Sequence, residues 1–198
     1  MSDKFVAMDL GNCCIWVNSD ECLRRLGLNS IAEVPKDFLN KCAELECGLI
    51  STKEWLCEFR KITNDKFTDK ELIEIWNSII GEEIKGMSQI IEEIISRNIK
   101  VALLSDTSEL HLNYAISKLS FAKKLCGGVY SFIVGERKPS LKMYKVFEKK
   151  FAFPLIYTDD KEENIEAAMS IGWNSHLFKN PEDFFSAFLK ATGEKRWI

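Results

Sequence analysis

The sequence predicts an α/β protein: a parallel sheet with helices on both faces, interrupted after its first strand by an all-helical insertion. Three observations lead there. A short apolar run near the start of the chain ends at an aspartate, Asp9. From about residue 86 onward, short β-rich runs alternate with helical periodicity, the pattern of βαβ crossovers. Residues 16–85 contain several helix starts and no convincing strand. The predicted organisation is a core domain of residues 1–15 and 86–198 and a cap domain of residues 16–85. A chain of 198 residues suffices for one such core with a modest insertion.

Each element has its own signal. Phe5 to Met8 reads as a buried strand. Further strands are expected over Lys100 to Leu104, Val129 to Val134, Leu155 to Thr158 and Ser175 to Phe178. Helical patterns fall between them, over Met87 to Ser96, Ser108 to Lys118, Leu141 to Lys150 and Lys161 to Ile171, with a last helix over about Pro181 to Leu189. Short crossovers of this kind give a Rossmann-like sheet covered on both sides. In the insertion, Ser51-Thr-Lys-Glu54 and Thr68-Asp-Lys-Glu71 are capping boxes, hydroxyl at the N-cap and carboxylate three residues on. Each precedes apolar residues at helical spacing: Trp55, Phe59 and Ile62, then Leu72, Ile75, Trp76 and Ile79. These read as the core of the cap. Pro35 suits the first turn of an earlier helix.

Bulk properties narrow the function. The hydrophobic fraction is 46% and the charged fraction 29%, ordinary for a globular protein. The formal net charge of -3 gives no electrostatic case for nucleic acid or an anionic membrane as partner. No apolar run approaches the roughly 20 residues that span a bilayer. No signal segment is visible at the start, so a cytoplasmic location is expected. The seven cysteines (13, 14, 22, 42, 47, 57 and 126) are odd in number and form no C-x-x-C pair, and the histidines are His111 and His176. Free thiols are expected rather than a zinc site or a disulfide framework.

In a parallel α/β sheet, ligands bind beyond the carboxyl ends of the strands. The residues just past each predicted strand are therefore informative. The first strand runs into Asp9-Leu-Gly11-Asn12, the second into Ser105-Asp106-Thr107, the third into Gly135-Glu-Arg-Lys138-Pro139, and the fourth into Asp159-Asp160 with Asn164 a turn later. Carboxylates, a hydroxyl and a lysine thus share one rim. A carboxylate attacks phosphorus when its charge and the phosphate's are both offset. Asp9 and Asp160 offer the oxygen ligands that Mg²⁺ prefers, with Asp159 and Asn164 in support. Lys138 can neutralise the nucleophile and the phosphoryl oxygens. Ser105, Asp106, Gly11 and Asn12 are the further candidates for contact with phosphate. A small phosphorylated substrate is the expected partner.

These four motifs, in this order, resemble those of the haloacid dehalogenase (HAD) superfamily over essentially the whole chain. They are most similar to sugar-1-phosphate phosphatase-like members with a small helical cap. Asp9-Leu-Gly-Asn, Ser105-Asp-Thr-Ser-Glu-Leu-His111, Lys138-Pro, and Asp159, Asp160, Asn164, Ala168, Gly172 and Trp173 match that pattern, and Glu46-Cys-Gly48 resembles its E-x-G turn. The resemblance implies a Mg²⁺-dependent phosphatase with a phosphoaspartyl intermediate at Asp9 and the Gly11 carbonyl as a further metal ligand.

Two positions depart from the superfamily. Most of its phosphatases carry a general acid-base aspartate two residues after the nucleophile; here that residue is Gly11. A glycine also permits backbone geometry that a β-carbon forbids. Asp106 stands where asparagine is usual, and a carboxylate beside a phosphate site repels a dianion unless it turns away or pairs with a cation. Two alternatives stay open. A 2-haloacid dehalogenase also lacks the second acid, but needs no metal and leaves the Asp159-Asp160 pair unexplained. A non-catalytic phospho-ligand or protein binder would account for Gly11 and Asp106. Substrate selection is expected from the cap, around residues 16–18 and the turn from Glu46 to Leu49. His111 and His176 read as structural.

Overall fold

The computed structural model describes residues 3–193. In chain order, strand β1 (Lys4–Met8) is followed by β2 (Ile15–Val17) and then helices α1 (Asp20–Leu26), α2 (Lys36–Glu46), α3 (Thr52–Ile62) and α4 (Asp69–Asn77). Strand β3 (Ile80–Glu83) closes the insertion. The core continues as α5 (Met87–Ser96), β4 (Ile99–Ser105), α6 (Glu109–Lys118), β5 (Gly128–Tyr130), α7 (Ser131–Val134), α8 (Leu141–Phe151), β6 (Ile156–Asp159), α9 (Glu162–Ser170), β7 (Ser175–Leu177) and α10 (Pro181–Thr192).

Strands β5-β4-β1-β6-β7 form one sheet in that order, every neighbouring pair parallel. Side-chain alternation explains why both faces are covered. Val6 and Met8 of β1, with Val101 and Leu103 of β4, pack against Ile91 and Ile94 of α5 and Phe184 and Phe188 of α10. Ala7, Ala102 and Leu104 point the other way, onto Met143, Tyr144 and Phe147 of α8 and onto Trp173. Each large side chain buried here contributes roughly 1.5–3 kcal/mol. The chain winds from β1 to one side of the sheet, then returns to the other side at β6. That reversal opens a crevice at the carboxyl ends of β1 and β6.

The helices of the insertion enclose a core of their own, built on Phe38, Trp55, Phe59, Leu72, Ile75 and Trp76. Both predicted capping boxes form, with Ser51 accepting from the Glu54 N–H and Thr68 from the Glu71 N–H. Pro35 sits one residue earlier than expected, at the N-cap of α2. No helix among the described residues is long and apolar enough to cross a membrane. The seven cysteines are free.

Two expectations need correction. The insertion is not all-helical: β2 and β3 pair antiparallel at its two ends. These strands are too short to show alternation, and β3 (Ile-Gly-Glu-Glu) is rich in residues that disfavour strands, so the pairing of Ile15 with Glu83 comes from tertiary structure. The run Val129 to Val134 is not one strand. β5 ends at Tyr130, and α7 begins at Ser131, whose hydroxyl is held by Thr107, 24 residues earlier. A β-branched, aromatic stretch is overridden by that contact.

Candidate active site

The loop after β1 turns sharply, with Asn12 at a φ of 52°, a left-handed conformation asparagine tolerates. Asp9 is buried at the strand end. Its Oδ1 accepts the Leu10 N–H at 2.8 Å and faces the Lys138 ammonium at 2.8 Å. Burial pushes its carboxyl up to about 7; Asp159 adds to the rise and Lys138 opposes it.

Lys138 is fully committed. Its three ammonium protons meet three acceptors: Asp9 Oδ1, Asp159 Oδ2 at 2.6 Å and the Leu104 carbonyl at 2.9 Å. Burial alone would lower its pKa, but Asp9, Asp159 and Asp106 outweigh burial and hold it above the usual lysine range. Asp159 is also saturated. Besides Lys138 it accepts from the Tyr157 hydroxyl, the Lys161 N–H at 2.9 Å and Asn164 Nδ2 at 2.9 Å. Burial opposes ionisation of Asp159, yet Lys138 and these donors keep its carboxyl below the ordinary aspartate value. Asn164 thus orients Asp159, not Asp160. The Asp160 carboxylate is set instead by Asn12, which donates from Nδ2 to Oδ2 at 3.0 Å while its own Oδ1 accepts the Val17 N–H at 3.1 Å.

One oxygen from each of Asp9, Asp159 and Asp160 lies within 4.8 Å of the others. Asp9 Oδ2 and Asp160 Oδ1 carry no hydrogen bond among the described residues, and the buried Oδ1 of Asn164 has no partner. When all three are ionised, three carboxylates against one ammonium leave a surplus of two negative charges, which is the state that burial resists at Asp9. A hard divalent cation fits both that charge and the oxygen donor set.

A cleft of about 190 Å³ opens over these groups. Its wall includes Asp9, Gly11, Asn12, Asp160 and Asn164, and also Asp106, Arg137, Lys161 and the cap residue Glu46. Asp106 is tied down: Oδ1 accepts the Lys138 N–H at 2.9 Å, and Oδ2 lies 3.7 Å from the Arg137 guanidinium. The repulsion expected from this carboxylate is thereby offset. Ser105 lies behind the cleft wall, buried at the end of β4. It was expected to touch phosphate and is not among the residues that line the cleft. Gly11 does not adopt a left-handed φ, so its backbone is open to other residues; a β-carbon there would meet a Val17 methyl at 3.2 Å. His111 is structural here, stacked on Trp76 at 4.5 Å with Nε2 3.0 Å from the Trp76 carbonyl, and burial holds its pKa down to about 4. His176 pairs with Asp183 at 3.1 Å.

No family model and no curated protein matches the sequence. Solved structures do. A HAD family enzyme from Bacteroides thetaiotaomicron superposes with a TM-score of 0.81 at 19% identity, over 95% of this chain and 99% of that one. The same enzyme in complex with magnesium and inorganic phosphate gives 0.79 at 20% identity, over 92% and 98%. A predicted HAD-like family hydrolase from Porphyromonas gingivalis gives 0.79 at 19%, over 98% and 100%. The chain has the HAD-like fold. An L-2-haloacid dehalogenase from Xanthobacter autotrophicus is more distant, at 0.62 and 11% identity, over 87% and 76%.

On this HAD-like frame, sequence reasoning missed Arg137 and Lys161 as cleft residues. Their only signal was adjacency: Arg137 precedes Lys138, and Lys161 comes directly after Asp160. Glu46 was legible as part of the cap turn but not as a group facing the carboxylates.

Proposed function

We propose that the protein is a Mg²⁺-dependent phosphohydrolase for small phosphorylated metabolites, of the sugar 1-phosphate kind, working through a phosphoaspartyl intermediate at Asp9. The observation that carries this reading is the surplus of two negative charges at Asp9, Asp159 and Asp160, with one oxygen on Asp9 and one on Asp160 left unpaired. Asp9 and Asp160 would hold the cation, with the Gly11 carbonyl and Asn164 beside them. When bound, Mg²⁺ supplies positive charge that offsets both the phosphate and the attacking carboxylate.

The chain's own residues do the rest. Lys138 keeps Asp9 oriented, and its positive charge favours the carboxylate form. The Asp9 carboxylate attacks phosphorus and the leaving oxygen departs; water then attacks the acyl phosphate and frees inorganic phosphate and Asp9. Asp159, saturated by four donors, anchors Lys138. The complex of the Bacteroides enzyme with magnesium and inorganic phosphate supports this reading by similarity of fold. The dehalogenase reading also draws on a solved neighbour. It gives no use to the unpaired carboxylate oxygen of Asp160, and so ranks below.

A panel of phosphomonoesters, assayed with Mg²⁺ and with EDTA, tests the proposal. Turnover should require Mg²⁺ and fall by several orders of magnitude in Asp9→Asn, because the covalent path is lost. Near-normal turnover in Asp9→Asn, or activity that survives EDTA, would contradict it.

A further inference from the structure

Gly11 leaves the loop after β1 without a proton donor, so a donor must come from elsewhere in the cleft. Asp9 is the nucleophile of the proposed reaction and Asp160 faces the cation. Asp106 is spent on the Lys138 N–H and on Arg137. Lys138 has no spare proton, and an ammonium such as Lys161 has no lone pair to accept a proton from water. Among the described residues that line the cleft, the carboxylate that remains is Glu46.

Glu46 is the last residue of α2, and its position is fixed from behind. Its carbonyl accepts a hydrogen bond from the Ser131 hydroxyl at 2.6 Å, and that hydroxyl accepts the Thr107 N–H at 2.8 Å. Two residues on, Gly48 comes so close to α7 that a β-carbon would lie 2.1 Å from the Phe132 carbonyl oxygen. The cap turn is therefore seated on the core, and Glu46 projects into the cleft from a rigid base. Its charged partner is Arg137, 3.2 Å from Oε2, and Arg137 also serves Asp106. Oε1 carries no hydrogen bond among the described residues.

Resting on the phosphohydrolase reading, we infer that Glu46 is the general acid and base of the reaction, supplied by the cap in place of the missing aspartate at position 11. As Asp9 forms its bond to phosphorus and the ester P–O bond breaks, the Glu46 carboxyl gives its proton to the departing oxygen. In the second half, the Glu46 carboxylate takes a proton from water while that water's oxygen attacks phosphorus and the Asp9–phosphorus bond breaks. The carboxyl is restored with inorganic phosphate as product. Burial raises the Glu46 pKa, with Arg137 and Lys161 opposing and Asp106 adding, which suits a group that must hold a proton and then give it up.

The test is the first burst of phenol released from dinitrophenyl, nitrophenyl and unsubstituted phenyl phosphate with Mg²⁺. The natural protein should show burst rates that depend weakly on leaving-group basicity. Glu46→Gln should make the dependence steep, with the phenyl phosphate burst falling about 10²–10⁴-fold and the dinitrophenyl burst largely kept, giving way to slow turnover as the phosphoenzyme accumulates. Glu46→Asp, which keeps a carboxylate, should lie between the two. Melting curves of each variant separate unfolding from lost proton transfer. A natural protein whose dependence is already steep, or a Glu46→Gln protein that loses all three substrates equally, overturns the role of Glu46 alone. A natural protein inactive on these three and on the whole phosphomonoester panel overturns the phosphohydrolase reading, and this inference with it.

Discussion

Asp9 is held where its charge is costly. Burial raises its carboxyl to about 7 in the folded protein, far above its ordinary value of 3.8. A folded-state pKa above the unfolded one means that the native state binds the extra proton, so stability is lost as pH rises between the two values. In EDTA, the natural protein should therefore lose stability relative to Asp9→Asn as pH climbs from about 4 to about 7, by a few kcal/mol. Denaturant melts of the two proteins across that range check the sign. A difference that stays constant with pH would show that Asp9 is not forced to ionise at a cost. Asp159 behaves oppositely, because its carboxyl is depressed and its contribution is lost only in acid, below the ordinary aspartate value. The two windows do not overlap. Among single residues, the motif positions Asp9, Lys138, Asp159 and Asp160 were legible because chemistry placed them at strand ends. Which oxygen each residue offers was not, since Asn12 to Asp160 and Asn164 to Asp159 are pairings across 148 and five positions that periodicity does not encode.

At the scale of elements, legibility followed local signal. The helices over Thr52–Ile62 and Asp69–Asn77 were readable because a capping box is a four-residue code and the apolar residues behind it repeat at helical spacing. The ribbon of β2 and β3 was not, because its pairing joins positions more than 60 residues apart and its strands are only three and four residues long. The cap turn lies between these cases: Glu46-Cys-Gly48 marks a helix end, but its docking on α7 is tertiary. Gly48 has a φ of 64° and no room for a β-carbon, so Gly48→Ala strains the turn and forces it off Phe132. That variant should lower the melting temperature and slow phosphomonoester turnover together, with Ala at Gly27, whose φ is also positive but whose surroundings are open, as the control that loses stability alone. Turnover kept in Gly48→Ala would show that cap docking does not position the site.

For the whole molecule, the order β5-β4-β1-β6-β7 assembles the candidate site. It puts β1 beside both β4 and β6, so the ends of three parallel strands deliver Asp9, Asp106 and the Asp159-Asp160 pair around one lysine. The α/β class and its insertion were legible because alternation and crossover spacing are global patterns; the seating of the cap over the cleft is a contact between separated segments. The central claim is that this assembly lets Asp9 accept a phosphoryl group only when a divalent cation offsets the clustered carboxylates. Fluorine NMR of the protein with beryllium fluoride, a phosphoryl mimic, tests it most directly. With Mg²⁺ the natural protein should show bound fluoride resonances that vanish on adding EDTA and never form in Asp9→Asn. Bound resonances of equal intensity in Asp9→Asn, or in the natural protein without any divalent cation, would contradict it.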